Sequence, residues 1–206
     1  MHCMSPRRSV QDAARTRDRI VQAAVDRAST VGLEGVTVRD LAAELGMSKS
    51  GVVAPFASRG RLLEVAFDGA VATFRAVVIE PVLAEPAGRE RLLALLERWV
   101  DYLVDCPFPG GCFVTTASVE LDNRPGALRE RTAATVLRWL TFLTEQAQAA
   151  RPDLPAEDAR DLATTLNGIA MSANQEIQLL ADPAAGPRAR RIMHATVADF
   201  LRLEAG

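Results

Sequence analysis

Lysine is almost missing from this chain: Lys49 is the one lysine among 24 basic residues. Such a bias reflects genomic base composition and carries no chemistry of its own. Histidine occurs twice, at His2 and His194, and cysteine three times, at Cys3, Cys106 and Cys112. An odd and small number of cysteines excludes a disulfide framework, and with histidines so far apart structural zinc is excluded as well. No metal and no other cofactor is expected. No apolar run approaches the roughly 18–20 residues that cross a bilayer, and Arg7 and Arg8 are not followed by the apolar stretch of a secretory signal. The expected location is cytoplasmic, without a membrane partner. There is no Gly-rich phosphate loop and no base beside Cys112 in sequence, so an enzyme is not expected.

What the chain does have is apolar surface and an uneven charge. About half of its 206 residues are apolar, enough for one sizeable core. Residues 1–61 hold ten Arg or Lys against six Asp or Glu, a balance of +4, whereas the remaining 145 hold fourteen against twenty, a balance of −6. A small basic head is attached to an acidic body, a distribution that suits a polyanionic partner for the head.

Apolar residues recur at helical spacing nearly throughout, so the chain reads as all-α with about nine helices. Ile20, Ala23, Ala24, Ala28 and Val31 mark a first helix over about 12–31, interrupted by Gly32 and Gly35. Thr37 with Asp40 three residues later has the form of a capping box and opens a short helix that Gly46 stops. Ser48 caps a third, about 49–54, which ends before Pro55. From Ser58 a long connecting helix carries Leu62, Leu63, Phe67, Val71 and Phe74 on one face and ends near Pro81. Further helices follow through Leu92–Leu103, over about 112–121, after Gly126, and over about 156–181 and 186–203. The expected division is a disordered arm at 1–11, a two-helix-element head domain at 12–57 and a larger helical domain at 58–206.

Residues 37–56 read as two short helices joined by Gly46-Met47-Ser48. Such a pair lets the second helix lie in a DNA major groove while the first braces it across the backbone. Leu41, Ala42, Leu45 and Val52 supply the inner packing; Thr37, Arg39, Ser48, Lys49, Ser50 and the helix N-termini supply outward donors. The same pattern also fits a plain helical hairpin within a bundle.

Over residues 16–68 the chain resembles the DNA-binding domain of the tetracycline-repressor (TetR) family. The resemblance is carried by Thr16-Arg17, Ile20 and Ala23-Ala24, by Gly35 through Gly51, and by Phe56-Ala-Ser58 with Leu62-Leu63. Gly110-Gly-Cys-Phe113, Arg124-Pro-Gly-Ala-Leu-Arg129 and Trp139 are similar to one C-terminal subgroup of that family. The resemblance implies a ligand-responsive repressor that binds a near-palindromic operator in double-stranded DNA as a homodimer. The DNA-contacting set it implies is Thr37, Val38, Arg39, Ser48, Lys49, Ser50, Gly51, Val53, Ala54 and Arg59. The recognition helix departs from the family at Val53, where an aromatic usually touches a phosphate, at Pro55, and at Arg59-Gly60 in place of Lys-Glu. Arg59 is expected to take over a phosphate contact.

For the body, the resemblance implies a four-helix dimer interface from the last two helices, 156–181 and 186–203. The small residues Ala163, Gly168, Ala170 and Ala173 are expected to permit close approach there. It also implies an effector cavity lined by Phe67, Phe74, Trp99, Tyr102, Leu103, Phe113, Trp139, Phe142, Asn167, Met171, Asn174 and Gln175. With aromatics, amides and no cluster of inward-looking charges, the expected effector is an uncharged or weakly polar organic molecule. The competing reading is a thiol- or electrophile-sensing regulator acting through Cys106 and Cys112, which flank a Pro/Gly turn.

Overall fold

In a computed structural model, residues 6–202 are described, and among them nine α-helices and no strand occur. The head comprises α1 (Pro6–Val31), α2 (Val38–Leu45) and α3 (Lys49–Val53). Helix α1 begins at Pro6, so residues 6–11 of the expected disordered arm are helical, whereas residues 1–5 lie outside the described residues. Ile20, Ala24, Leu33, Val36, Leu41, Val52 and Phe56 close the head core. The Arg17 guanidinium covers the Phe56 ring at 5.1 Å, which shields the one large aromatic of this small core from water.

Helix α4 (Arg59–Phe74) starts where expected, with the Ser58 hydroxyl accepting from the Arg61 N–H, but it does not run on regularly to Pro81. Its last turn widens into a π-helical turn at Arg75–Ile79, followed by a short 3₁₀ turn at Glu80–Val82. Proline 81 has no N–H to continue the ladder. Leu62, Leu63, Ala66 and Phe67 of α4 are buried and join the head core to that of the body, so one apolar core runs through the chain.

The body is built around α5 (Arg89–Val104), whose Leu92, Leu95, Leu96, Trp99, Val100 and Leu103 are all buried. Helices α7 (Ala127–Ala150), α8 (Ala156–Leu180) and α9 (Ala185–Arg202) pack on it, while α6 (Phe113–Leu121) packs on α7, α1 and α4. Ion pairs from Arg190 to Glu97 and Asp101 hold α9 on α5. Among the small residues of α8, Ala163, Ala170 and Ala173 are buried within the protomer. This corrects their expected role: they let α8 approach its own neighbours, and only Gly168 stands on the outer face, with nothing near an added Cβ. No helix among the described residues is long and apolar enough to cross a membrane.

Candidate DNA-binding face and ligand cavity

The two-helix element is held in shape by its caps. The Thr37 hydroxyl accepts from Asp40 N–H (3.1 Å) and the Ser48 hydroxyl from Gly51 N–H (3.0 Å), while Gly46 takes the left-handed conformation between them. A Cβ at Gly51 would stand 3.1 Å from the Ser48 hydroxyl, so glycine here leaves room for the cap that starts α3. Thr37, Arg39, Ser48, Lys49, Ser50 and Ala54 are exposed; Val38, Gly51 and Val53 are half-buried. Lys49 has no carboxylate within 4.0 Å among the described residues, whereas Arg39 lies 3.6 Å from Asp40. The Asp40 carboxyl is held below its ordinary value, first by its hydrogen bond with Thr37 and then by the charges of Arg27 and Arg39. Arg27 also fastens α1 to α2 through Asp40 at 3.0 Å.

Arg59 is a correction. Its guanidinium turns inward, donating to the carbonyls of Val36 (2.7 Å), Glu34 (2.9 Å) and Leu33 (3.2 Å), and it is not presented as a phosphate contact. Of those carbonyls only that of Leu33 has a backbone partner, the Val36 N–H at 3.3 Å, and a planar fork of N–H donors meets all three at once. Arg59→Met is therefore expected to destabilise the protein by about 1–3 kcal/mol through unpaired loop carbonyls. Arg59→Lys should recover only part of that loss in thermal unfolding; full recovery by lysine would show that charge alone matters.

A joint between head and body was not foreseen from the sequence. The Glu120 carboxylate, in α6, accepts the N–H groups of Leu33 (2.7 Å) and Glu34 (2.8 Å). Gly32, at φ +77°, makes room for it, since a Cβ there would lie 2.8 Å from a Glu120 oxygen. Beside it, Gly110 N–H donates to the Ser29 hydroxyl at 3.1 Å. Arg131 of α7 reaches Glu64 and Asp68 of α4. Glu120 and Leu33 are 87 residues apart, and no local pattern signals their contact.

The body encloses a cavity of about 560 Å³ between α4, the π turn and α5 to α8. Seven of the expected residues line it: Phe74, Trp99, Leu103, Trp139, Phe142, Asn167 and Met171. The Trp139 ring meets Trp99 at 4.7 Å and Phe74 at 5.1 Å, both nearly perpendicular. Five expected residues do not line the cavity. Phe67, Tyr102 and Phe113 are packed in the core behind the wall, Phe113 edge-on to Phe67 at 6.0 Å. Asn174 is buried, and its carbonyl accepts from Cys112 N–H at 3.0 Å, so its amide fastens the loop before α6 to α8. Gln175 is exposed. Wall residues missed in the sequence include Val114, Thr115 and Ser118 of α6, and two cations, Arg75 and Arg138.

Cys106 and Cys112 are both free thiols, the first half-buried and the second buried, and Tyr102 lies beside both. Burial pushes the Cys106 thiol up, away from the reactive thiolate. The geometry thus gives no support to a thiol sensor.

A capped helix-turn-helix on a helical body is the architecture of a DNA-binding regulator. The chain belongs to the TetR family of transcriptional regulators: the family described as "Bacterial regulatory proteins, tetR family" matches residues 20–66, and "Tetracyclin repressor-like, C-terminal domain" matches residues 88–193. Among solved structures, a TetR transcriptional regulator from Chloroflexus aurantiacus has 23% identity and a TM-score of 0.82, with 91% of this chain and 96% of that one covered. A regulator from Saccharomonospora viridis solved with choline has 20% identity and a TM-score of 0.72, covering 93% and 97%. AibR, solved with isovaleryl coenzyme A and operator DNA, has 20% identity and a TM-score of 0.68, covering 86% and 95%. No curated protein sequence matches the chain.

Proposed function

We propose that this chain is a homodimeric repressor that binds a near-palindromic operator and is released when a small organic effector enters the body cavity. The observation that carries the reading is the shared helix α6: its first turns form cavity wall, and its Glu120 grips the head loop that leads into α2. A ligand at one end and DNA at the other thus bias the same element, as coupling between two sites requires. That the related AibR was solved with both an acyl coenzyme A and operator DNA supports such an arrangement.

The DNA-facing set is Thr37, Arg39, Ser48, Lys49, Ser50 and Ala54, with Val38, Gly51 and Val53 behind them. Arg59 supports the loop in place of a phosphate contact. Dimerisation uses the outer stripe of α8, where Thr165, Gly168, Met171, Gln175 and Leu179 are exposed at helical spacing, together with Ile192 of α9. In a dimer the two recognition helices stand about one DNA turn apart, about 34–36 Å.

The test is binding to a palindrome from the gene's own upstream region. Lys49→Ala should weaken it about tenfold, and Arg39→Ala less, because Asp40 already engages that charge; added salt should weaken it further. Unchanged affinity in both variants would remove α3 from the DNA. Gly168→Arg should halve the mass measured in solution, and a dimer that persists would move the interface elsewhere.

A further inference from the structure

Two cations border a largely apolar cavity, and no carboxylate is among its lining residues. Arg75 stands on the π turn and Arg138 on α7, while none of the lining residues is Asp or Glu. Arg75 is partly neutralised, its Nε donating to Glu80 at 3.1 Å. Arg138 has no carboxylate within 4.0 Å among the described residues. One of its terminal nitrogens donates to the Thr135 hydroxyl at 2.9 Å, and Thr135 is itself part of the wall. That bond holds the guanidinium along the wall and leaves most of its N–H donors unused.

The aromatic cluster of Phe74, Trp99, Trp139 and Phe142 lines the same cavity, Phe142 one turn beyond Arg138 on α7. Perpendicular indole rings can hold a cation on their faces, but a cation here would meet two arginines and no carboxylate among the lining residues, since Glu80 is already engaged by Arg75. An anion meets the reverse: donors at the rim with hydrocarbon walls beneath. We propose, resting on the reading that this cavity takes the effector, that the ligand is an organic anion with a compact aromatic or branched body against Trp99, Trp139 and Phe142 and one carboxylate or sulfonate on Arg138. This replaces the uncharged effector expected from the sequence, which could not show that Arg138 faces the cavity.

The chain's two tryptophans both line the cavity, so energy transfer from them reports its occupancy. Two dyes share one skeleton and differ by a single anionic group: 8-anilinonaphthalene-1-sulfonate and N-phenyl-1-naphthylamine. Each is titrated into the full-length protein and into Arg138→Gln, an exposed position on α7 where the change leaves packing intact. The expected result is transfer to both dyes, with Arg138→Gln weakening the sulfonate about tenfold and leaving the neutral dye within twofold, as one charge-assisted contact permits. Arg75→Gln should weaken the sulfonate less. If Arg138→Gln affects both dyes equally or neither, or if phenyltrimethylammonium displaces the neutral dye at lower concentration than benzoate does, the anion proposal is overturned while the cavity stands. If neither dye receives transfer from the tryptophans, the cavity reading falls, and this proposal with it.

Discussion

Gly110→Ala should lower the thermal midpoint by at least about 6 °C, the shift that a loss of about 3 kcal/mol produces in a chain of this size. An added Cβ at this position would lie 1.8 Å from the carbonyl oxygen of Ser29 and 2.3 Å from its carbonyl carbon. Both are backbone atoms near the end of α1, and no side chain can rotate away to relieve the overlap. The loop before α6 must then move bodily off α1, which breaks the Gly110 N–H bond to the Ser29 hydroxyl and opens core packing, a cost at or above the usual range for overpacking. The measurement is a thermal scan at fixed protein concentration, because the midpoint of any self-associating protein depends on it. A fall of less than 2 °C would mean that the loop leaves α1 freely and that head and body are not joined there.

Glu120→Ala is expected to loosen the same joint from the other side. It removes both acceptors of the Leu33 and Glu34 N–H groups, and Leu33 is buried, so water cannot simply replace the carboxylate there. Losing the partner of a buried donor costs about 1–3 kcal/mol. Hydrogen exchange in the 32–36 segment should therefore accelerate roughly 10–100-fold while the α5 core keeps its protection. Glu120→Gln, which keeps one acceptor oxygen, should fall between the two. Exchange at the wild-type rate in Glu120→Ala would show that the Glu120 bonds do not hold the 32–36 loop, and α6 would then lose its place in the coupling. The connecting helix remains a second route, since Val71 and Phe74 of α4 line the cavity and its first turn abuts the recognition unit.

The corrections share one cause. Arg59 was expected to contact phosphate because it stands where the family usually has a lysine, yet three carbonyls of a loop 23–26 residues earlier lie within reach and claim its donors. Asn174 was expected in the cavity because an amide on an apolar helix needs a partner. It has one, but the partner is the Cys112 N–H, 62 residues away. Gln175, one position further along α8, faces outward, because neighbouring residues on a helix point about 100° apart.

The helices themselves were determined by the sequence alone: their periodicity, the hydroxyl caps at Thr37, Ser48 and Ser58, and the stop at Gly46 are local, acting within a turn or two of chain. The two-helix pattern of residues 37–56 fits a plain hairpin as well, and the regulator class came from the resemblance of residues 16–68 to the TetR family. Tertiary structure alone decided which side chains meet across long separations: Glu120 on the Leu33 loop, Arg138 on the cavity wall, the alanines of α8 against their own protomer. A 3.6-residue period states which face of a helix is apolar, but not which neighbour covers that face or which charge stands at its edge. Those depend on how the helices pack against one another, a property of contacts that no window of sequence contains.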